Sequence, residues 1–286
     1  MTRSIVSVHP IQFEGWSCVR ATNETVDIVV PCAFGPRVMR YGLVGRSNVF
    51  QVMPATRGRI ARGNWSPYGG HRLWAAPEKL PYPADNDPVA VEHDGHSMTV
   101  TGTVEEDGLE KSMRISFESD EARVHVMHRI TNRSENPRRL APWALSVVAN
   151  GGHVAIPHDP FVSHDDDLLP ARPLVLWKFT NMSDPRWTWG KEAIILRENA
   201  AMPSPQKVGC FNRRGWAAHY ATDHVFTIRI DTHPEDPALY ADMGCNFETY
   251  TAGAFQELET LGPLVLLAAG DSVWHQETWE VKRLRA

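Results

Sequence analysis

The sequence predicts an all-β protein built from packed antiparallel sheets. Segments of strand length alternate apolar and polar residues, and turn formers such as Asp107-Gly108 and Ser119-Asp120 separate them. No segment keeps a 3.6-residue apolar period over three turns, and 21 prolines are spread along the chain, which disfavours long helices. Because the sequence shows no linker-like stretch, internal repeat or low-complexity segment, we expect a sandwich or barrel that forms one domain, 1–286.

The expected strands follow in chain order. Residues 26–30 are an apolar run that ends at Pro31, and 37–44 follow a Gly35-Pro36 turn. The clearest alternation lies in 98–104, 111–118 and 124–131. Further strands are expected at 143–148, 174–179, 193–197, 208–211, 215–220, 225–231, 248–251, 255–260, 263–268 and 273–283.

Two long segments, 53–87 and 150–172, show no regular pattern and are rich in His, Arg, Trp and Asp. Long loops in a compact β domain often carry function. The first contains GGHRLW, in which His71 can transfer protons near neutral pH, Arg72 offers forked donors, and Trp74 offers a flat face for a sugar. In an extended strand His71 would face away from Arg72 and Trp74. The alternative is an ordinary glycine-rich turn with a structural histidine.

Two carboxylates lie two residues apart in the expected strand 255–260. Because side chains alternate along a strand, Glu257 and Glu259 should project from the same face. Their mutual repulsion should raise the pKa of at least one, which suits proton transfer near neutral pH. The alternative is a solvated pair on an exposed face.

The second long segment holds His153, His158 and His164 beside the acidic run 165–167. Histidine and carboxylate can form a metal site, but this spacing matches no metal-binding motif, so a polar loop is favoured and no metal is predicted.

The charge pattern excludes a nucleic-acid groove as the main function. The formal net charge is −5, and no block of lysine or arginine stands out. Arg57, Arg59 and Arg62 could bind an anion such as a sugar phosphate or a uronate, although scattered surface arginines are the commoner case. No motif for a serine hydrolase, an NTPase or a dinucleotide-binding protein is present.

The sequence also predicts a cytoplasmic protein. The first residues lack an apolar core of signal-peptide length, and the longest apolar run, 264–269, is too short to cross a bilayer. Four well-separated cysteines are expected to be reduced thiols.

Four short motifs, in order, resemble the galactose mutarotase-like (aldose 1-epimerase-like) superfamily. They are the GPRV segment 35–38, the GGHRLW segment 69–74, the TNRS segment 131–134, and a C-terminal series. This last series, FETY at 247–250, LET at 258–260, AG at 269–270 and ETW at 277–279, is the most specific. The resemblance spans nearly the whole chain, and an uncharacterised branch of the superfamily shares the GGHRLW feature.

The resemblance implies a β-supersandwich of large twisted antiparallel sheets that binds a sugar in a groove. It implies a carboxylate base at Glu259 and anomer exchange by general acid–base catalysis, without a cofactor. Where that family carries a catalytic histidine, however, the stretch 140–145 reads LAPWAL. The acid must then come from elsewhere, and the candidates are His71, His153 and His158.

We therefore expect a mutarotase or related epimerase, with Glu259 as base and His71 as acid. Arg72, Trp74, Glu257, His158 and Arg59 are the expected substrate-binding residues. The expected partner is a small sugar or sugar acid, with no nucleic acid or membrane, and the protein is expected to be a monomer or homodimer. A non-catalytic carbohydrate-binding protein is the alternative, and a lyase or hydrolase acting on acidic polysaccharide is a weaker one.

Overall fold

The computed structural model describes residues 6–61, 63–231 and 234–284, and these form β-strands joined by turns and loops. Two short 3₁₀ helices interrupt the loops, at Pro54–Thr56 and Pro237–Leu239. The strands are β1 Ser7–Phe13, β2 Trp16–Thr22, β3 Val26–Pro31, β4 Arg37–Val38, β5 Arg40–Leu43, β6 His71–Ala76, β7 Ala90–His93, β8 Ser97–Val104, β9 Leu109–Phe117, β10 Arg123–Asn132, β11 Arg138–Val147, β12 His153–Pro157, β13 Leu174–Leu176, β14 Trp187–Trp189, β15 Ala193–Arg197, β16 Gln206–Cys210, β17 Trp216–Tyr220, β18 His224–Ile230, β19 Phe247–Thr251, β20 Gln256–Leu261, β21 Val265–Leu267 and β22 Ser272–Arg283.

Three antiparallel sheets make up the described structure. The largest has ten strands in the order β14-β15-β12-β17-β18-β22-β10-β9-β8-β7. An eight-stranded sheet runs β13-β16-β19-β20-β11-β6-β4, with β21 paired to β11, and a smaller sheet runs β1-β2-β3-β5. The prediction of an all-β fold of large antiparallel sheets is confirmed.

One core cluster of buried apolar residues draws on all three sheets. It includes Ile28 from the smallest sheet, Leu258 from the eight-stranded sheet, and Val126 and Trp279 from the ten-stranded sheet. Burial of this apolar surface is the main force that holds the sheets together.

The alternation in the sequence sets which side of each strand is buried in the core. In β10 every second residue from Val124 to Ile130 is buried. All six residues of β20 are buried, because Leu258 faces the core while Glu257 and Glu259 face the opposite side of the sheet. That opposite side carries the candidate site.

The segment 53–87, predicted to be irregular, contains β6, the next-to-last strand of the eight-stranded sheet. Gly69 and Gly70 have φ of +85° and +71°, and they turn the chain into β6. A Cβ on Gly70 would lie 2.4 Å from the carbonyl oxygen of Val38, so the neighbouring chain requires a glycine there. β6 then pairs with β11 from His71↔Ser146 to Ala76↔Ala141.

No helix in the described part of the chain is long and apolar enough to span a membrane.

Candidate functional site

A groove of about 520 Å³ lies on the outer side of the eight-stranded sheet. This volume is within the range of small-molecule sites, roughly 300–1,000 Å³. Eight aromatic side chains line the groove, among them Trp65, Trp74, Tyr82, Trp143, Trp177 and Tyr250. Flat apolar walls with a few charged groups are what a ligand with both apolar and hydroxyl faces requires.

The charged groups on the floor of the groove begin with an ion pair. Arg72 on β6 donates from Nη2 to Oε1 of Glu257 on β20, at 2.9 Å. The guanidinium of Arg72 also lies over the ring of Trp74, 4.3 Å from its centroid. Glu257 lines the groove although only 7% of its surface is exposed, so a ligand can reach a carboxylate in a largely desolvated place.

A second charged group lies beside the first. The ammonium of Lys207 on β16 lies 2.9 Å from Oε2 of Glu259 and 2.8 Å from Oε2 of Glu248. Trp143 donates from Nε1 to the same Glu259 oxygen at 2.8 Å. Lys207 lines the groove, whereas Glu259 and Glu248 are fully buried beneath it.

Burial dominates the electrostatics of the floor. It raises the pKa of Glu257 above its ordinary value, although Arg72 beside it opposes the rise and the charge of Glu259 adds to it. Burial likewise raises the pKa of Glu248 well above its ordinary value, while Lys207 opposes the rise. Burial alone would lower the pKa of Lys207, but Glu259 and Glu248 reverse the effect and raise it.

The aromatic walls hold these cations in place. The rings of Trp74 and Tyr82 stack with centroids 5.1 Å apart and planes at 25°. The Lys207 ammonium lies 4.9 Å from the ring centroid of Trp143 and 4.7 Å from that of Trp177. Such contacts stabilise a desolvated cation by roughly 2 kcal/mol.

The structure brings three residues singled out in the sequence together in the groove: Arg72, Trp74 and Glu257. Glu259 projects from the same face of β20 as Glu257, as the alternation predicts. It is nevertheless fully buried and held by Lys207 and Trp143. The groove-lining acid is therefore Glu257 rather than Glu259.

His71, which the sequence interpretation expects to act as the acid, does not line the groove. It precedes Arg72 on β6 and projects from the opposite face, into the core between the sheets. Its ring nitrogens lie 2.8 Å from the Ser146 hydroxyl and 2.7 Å from His128 Nε2. Burial, and His128 beside it, hold the pKa of His71 well below its ordinary value.

His158 and Arg59 do not line the groove either, so the structure does not bring them to the site expected for them. His158 is half-buried beyond β12, where its backbone N–H donates to the Glu192 carbonyl at 2.9 Å. The Arg59 side chain is exposed, and its carbonyl accepts a hydrogen bond from Trp16 at 2.9 Å.

The remaining sequence candidates also lie outside the groove. His153 stacks on Tyr220 with centroids 5.0 Å apart, and His164 is exposed beside Asp165. In the described ranges these histidines are not part of any group of three close metal ligands. Arg57 forms a surface ion pair with Glu14, and Arg62 is outside the described residues.

Lys207, Trp143 and Tyr82 are site residues that the sequence reading missed. The signal for Lys207 was its position immediately before the expected strand 208–211, since a lysine that is buried with its strand must be paired. Trp143 lies in the stretch 140–145, where the resemblance directs attention to a missing histidine, and its indole N–H now contacts Glu259.

Comparison with known proteins establishes the fold. No protein-family model matches the chain, and no curated protein matches it. Among solved structures, a protein from Synechocystis is 10% identical with a TM-score of 0.59, and the alignment covers 99% of both chains. A candidate mutarotase from Salmonella typhimurium is 12% identical with a TM-score of 0.58, covering 99% of this chain and 96% of that one. A galactose mutarotase-like protein from Lactobacillus casei is 10% identical with a TM-score of 0.54, covering 96% and 100%.

Proposed function

We propose that this chain, which has the galactose mutarotase-like fold, binds a small sugar in the groove and interconverts its anomers. One observation supports this most directly: Glu257, a desolvated carboxyl group, lies on the floor of an aromatic groove of about 520 Å³. The mutarotase-like proteins that share the fold give the proposal its reaction class. That class is carried over from likeness of fold.

The reaction needs one proton removed and one proton returned. A base takes the proton of the anomeric hydroxyl, the bond from the anomeric carbon to the ring oxygen breaks, and the ring oxygen is protonated. The aldehyde then rotates, and ring closure in reverse gives either anomer. No group is consumed, so atoms and charges balance without an oxidant or a reductant.

We assign the base to Glu257 because Glu259 is fully buried behind it. The anomeric hydroxyl and the ring oxygen are both attached to the anomeric carbon, so one carboxyl group can take the proton from the first and deliver it to the second. A raised pKa favours this exchange, since the carboxyl group must be able to hold the proton near neutral pH. Under this proposal the enzyme does not need His71.

The flanking residues have positioning roles. Arg72 fixes the Glu257 carboxylate by its hydrogen bond, and Trp74 and Tyr82 offer a wall on which a sugar ring can lie. Lys207 supplies a donor at the groove surface, held between two tryptophans. The proposed ligand is a small sugar or sugar acid, and we propose no nucleic-acid or membrane partner.

We also propose a cytoplasmic location and a monomer or homodimer. The four cysteines are free thiols in the structure, which supports a reducing compartment.

A non-catalytic carbohydrate-binding protein is the second candidate. The observation that favours it is the composition of the groove, which has no histidine among the described residues that line it. In this alternative the two ion pairs and the aromatic walls hold a sugar without transferring a proton.

Anomer exchange measured by polarimetry and saturation-transfer NMR, across a panel of aldoses and uronates, tests the proposal. Removing the base by Glu257→Gln should slow exchange of an accepted sugar by about 10²–10⁴-fold while binding persists. Glu92→Gln, at an exposed glutamate on β7, is the matched control and should exchange sugars at the wild-type rate.

Two other outcomes would change the assignment. Saccharide binding by calorimetry without any acceleration of exchange would replace the enzyme with the binding protein. If Glu257→Gln keeps the wild-type rate and Glu259→Gln loses it, the base is Glu259.

A further inference from the structure

Three polar side chains converge in the core between the two large sheets. His71 comes from β6 of the eight-stranded sheet, and His128 and Glu277 come from β10 and β22 of the ten-stranded sheet. All three are fully buried. The two Nε2 atoms are 2.7 Å apart, and Glu277 Oε2 lies 3.8 Å from one and 3.9 Å from the other.

The outer nitrogens of the two imidazoles fix how the rings are presented. His128 Nδ1 lies 3.0 Å from the His275 carbonyl oxygen, which can only accept, so this nitrogen carries the hydrogen. In a neutral ring, Nε2 of His128 is then a bare lone pair that points into the cluster. His71 Nδ1 lies 2.8 Å from the Ser146 hydroxyl, which can accept a hydrogen in the same way. Metal-binding histidines are usually held by such an outer hydrogen bond.

The carboxylate of Glu277 is also fixed by hydrogen bonds. Its Oε1 accepts from the Thr260 hydroxyl at 2.5 Å and its Oε2 from the Trp279 indole at 2.6 Å. Among the described residues, only His71 and His128 offer it a cationic partner within 4 Å. A fully buried carboxylate needs a neighbouring positive charge or a proton.

We infer that His71, His128 and Glu277 form a buried binding site for a divalent transition cation of the zinc class, in which water would fill the fourth position. Two imidazole nitrogens and one carboxylate oxygen are a ligand set that zinc uses in proteins. The three ligand atoms lie within 4.8 Å of one another. The cation would supply the positive charge that Glu277 lacks. The net charge of the occupied site would then equal that of other zinc sites with two histidines and one carboxylate.

The site needs only small adjustments to hold the ion. Tetrahedral zinc with bonds of about 2.0–2.1 Å places its ligand atoms about 3.3 Å apart. The two Nε2 atoms would therefore separate slightly, and the carboxylate would approach by a similar amount. The competing state is a single proton shared between the two Nε2 atoms, with no metal.

The position suggests what the ion does. It would join β6 of one large sheet to β10 and β22 of the other, directly behind Arg72 and the groove floor. It is a separate feature from the sugar site, and it does not depend on the proposed function.

Metal analysis of the full-length protein tests the site. The protein is expressed with added zinc, purified without nickel resin, and assayed by mass spectrometry for bound metals; about one zinc per chain is expected. His128→Gln and Glu277→Gln should lower the zinc content by about tenfold or more. His125→Gln is the matched control, because His125 lies on the same strand and is half-exposed, with hydrogen bonds to Thr278 and Glu118.

A second measurement uses only wild-type protein, so its result does not depend on whether the variants fold. Wild-type protein is unfolded in urea with a chelator and refolded with Co²⁺, which should give the visible absorption of a tetrahedral nitrogen–oxygen site and a raised midpoint of thermal unfolding. Wild-type protein that is folded and zinc-free, and that refolds identically with and without Zn²⁺ or Co²⁺, would overturn the inference in favour of the shared proton.

Discussion

The contact between Arg72 and Glu257 opposes the effect of burial on the protonation of the groove-lining acid. Burial raises the pKa of Glu257, and the guanidinium 2.9 Å away counteracts that rise. The two effects can be tested separately, because methionine lacks the charge of Arg72 but keeps a side chain of similar length.

We therefore predict that Arg72→Met raises the pKa of Glu257 further, since an opposite charge at this distance lowers a carboxyl pKa. Loss of the cation disfavours the carboxylate, so proton release moves to higher pH. The measurement is an NMR titration of the ¹³C-labelled Glu257 carboxyl group. If the protein is a mutarotase, the acid limb of its pH–rate profile should move by the same amount.

The matched control is Arg129→Met, an arginine that lies over Trp274 on another sheet. It should leave the Glu257 titration unchanged. A Glu257 pKa that stays constant or falls in Arg72→Met would show that the ion pair does not set the protonation of this group.

For individual residues, the sequence predicts which side chains share a face of a strand. It does not predict which face of the sheet carries the groove. The alternation of β20 correctly places Glu257 and Glu259 together, and that of β6 separates His71 from Arg72. Assigning His71 to the sugar required the groove to lie on its side of the sheet. Only the packing of the ten-stranded sheet against that side decides otherwise.

The same holds for the strands: those with a local sequence pattern were predictable, and those that depend on pairing with remote segments were not. Strands with clear alternation were located to within about two residues, and 193–197 coincides with β15. The strands β1, β2, β7 and β14 were missed, and β6 and β12 were placed in irregular segments. β6 is bounded by glycines and prolines and is held by its pairing with β11, which is remote in sequence.

The entry into β6 yields a prediction about the backbone. Gly70 combines a φ of +71° with a Cβ position only 2.4 Å from the Val38 carbonyl oxygen. Gly70→Ala should cost about 2–4 kcal/mol of unfolding free energy, from the strained φ together with the clash. Urea unfolding followed by circular dichroism measures the cost.

Gly45→Ala separates the two contributions. Gly45 has a similar φ of +72°, but no atom lies within 4 Å of its Cβ position. It should lose only about 1 kcal/mol, the cost of the backbone conformation. Equal losses in the two variants would mean that the neighbouring chain yields at Gly70, and that close approach is not what requires glycine there.

The whole molecule depends on contacts that join the three sheets around Trp279. Its ring lies 5.5 Å from that of Tyr41 in the smallest sheet and 4.6 Å from that of His71 in the eight-stranded sheet. The Tyr41 hydroxyl also donates to the Ala122 carbonyl at 2.9 Å. The C-terminal strand β22 pairs with β10 and β18, so the last part of the chain completes the centre of the largest sheet.

The sequence anticipated the sandwich architecture because patterns of alternation and turns are local. It could not give the strand order, since β22 pairs with strands from earlier and separate parts of the chain. The groove depends on that order, because its floor combines β6, β11, β16, β19 and β20. This is why Lys207 and Trp143 became evident only in the structure.

The expectation of a single domain leads to a prediction about cooperativity. If the shared core couples all three sheets, far-UV circular dichroism and tryptophan fluorescence should report one coincident urea transition.

Ile28→Ala in the smallest sheet and Ile194→Ala near the edge of the ten-stranded sheet each remove a buried side chain, at a cost of about 2–5 kcal/mol. Each should move that single transition to lower urea without dividing it. A separate early transition in Ile28→Ala alone would mean that the small sheet unfolds independently and that the chain contains more than one cooperative unit.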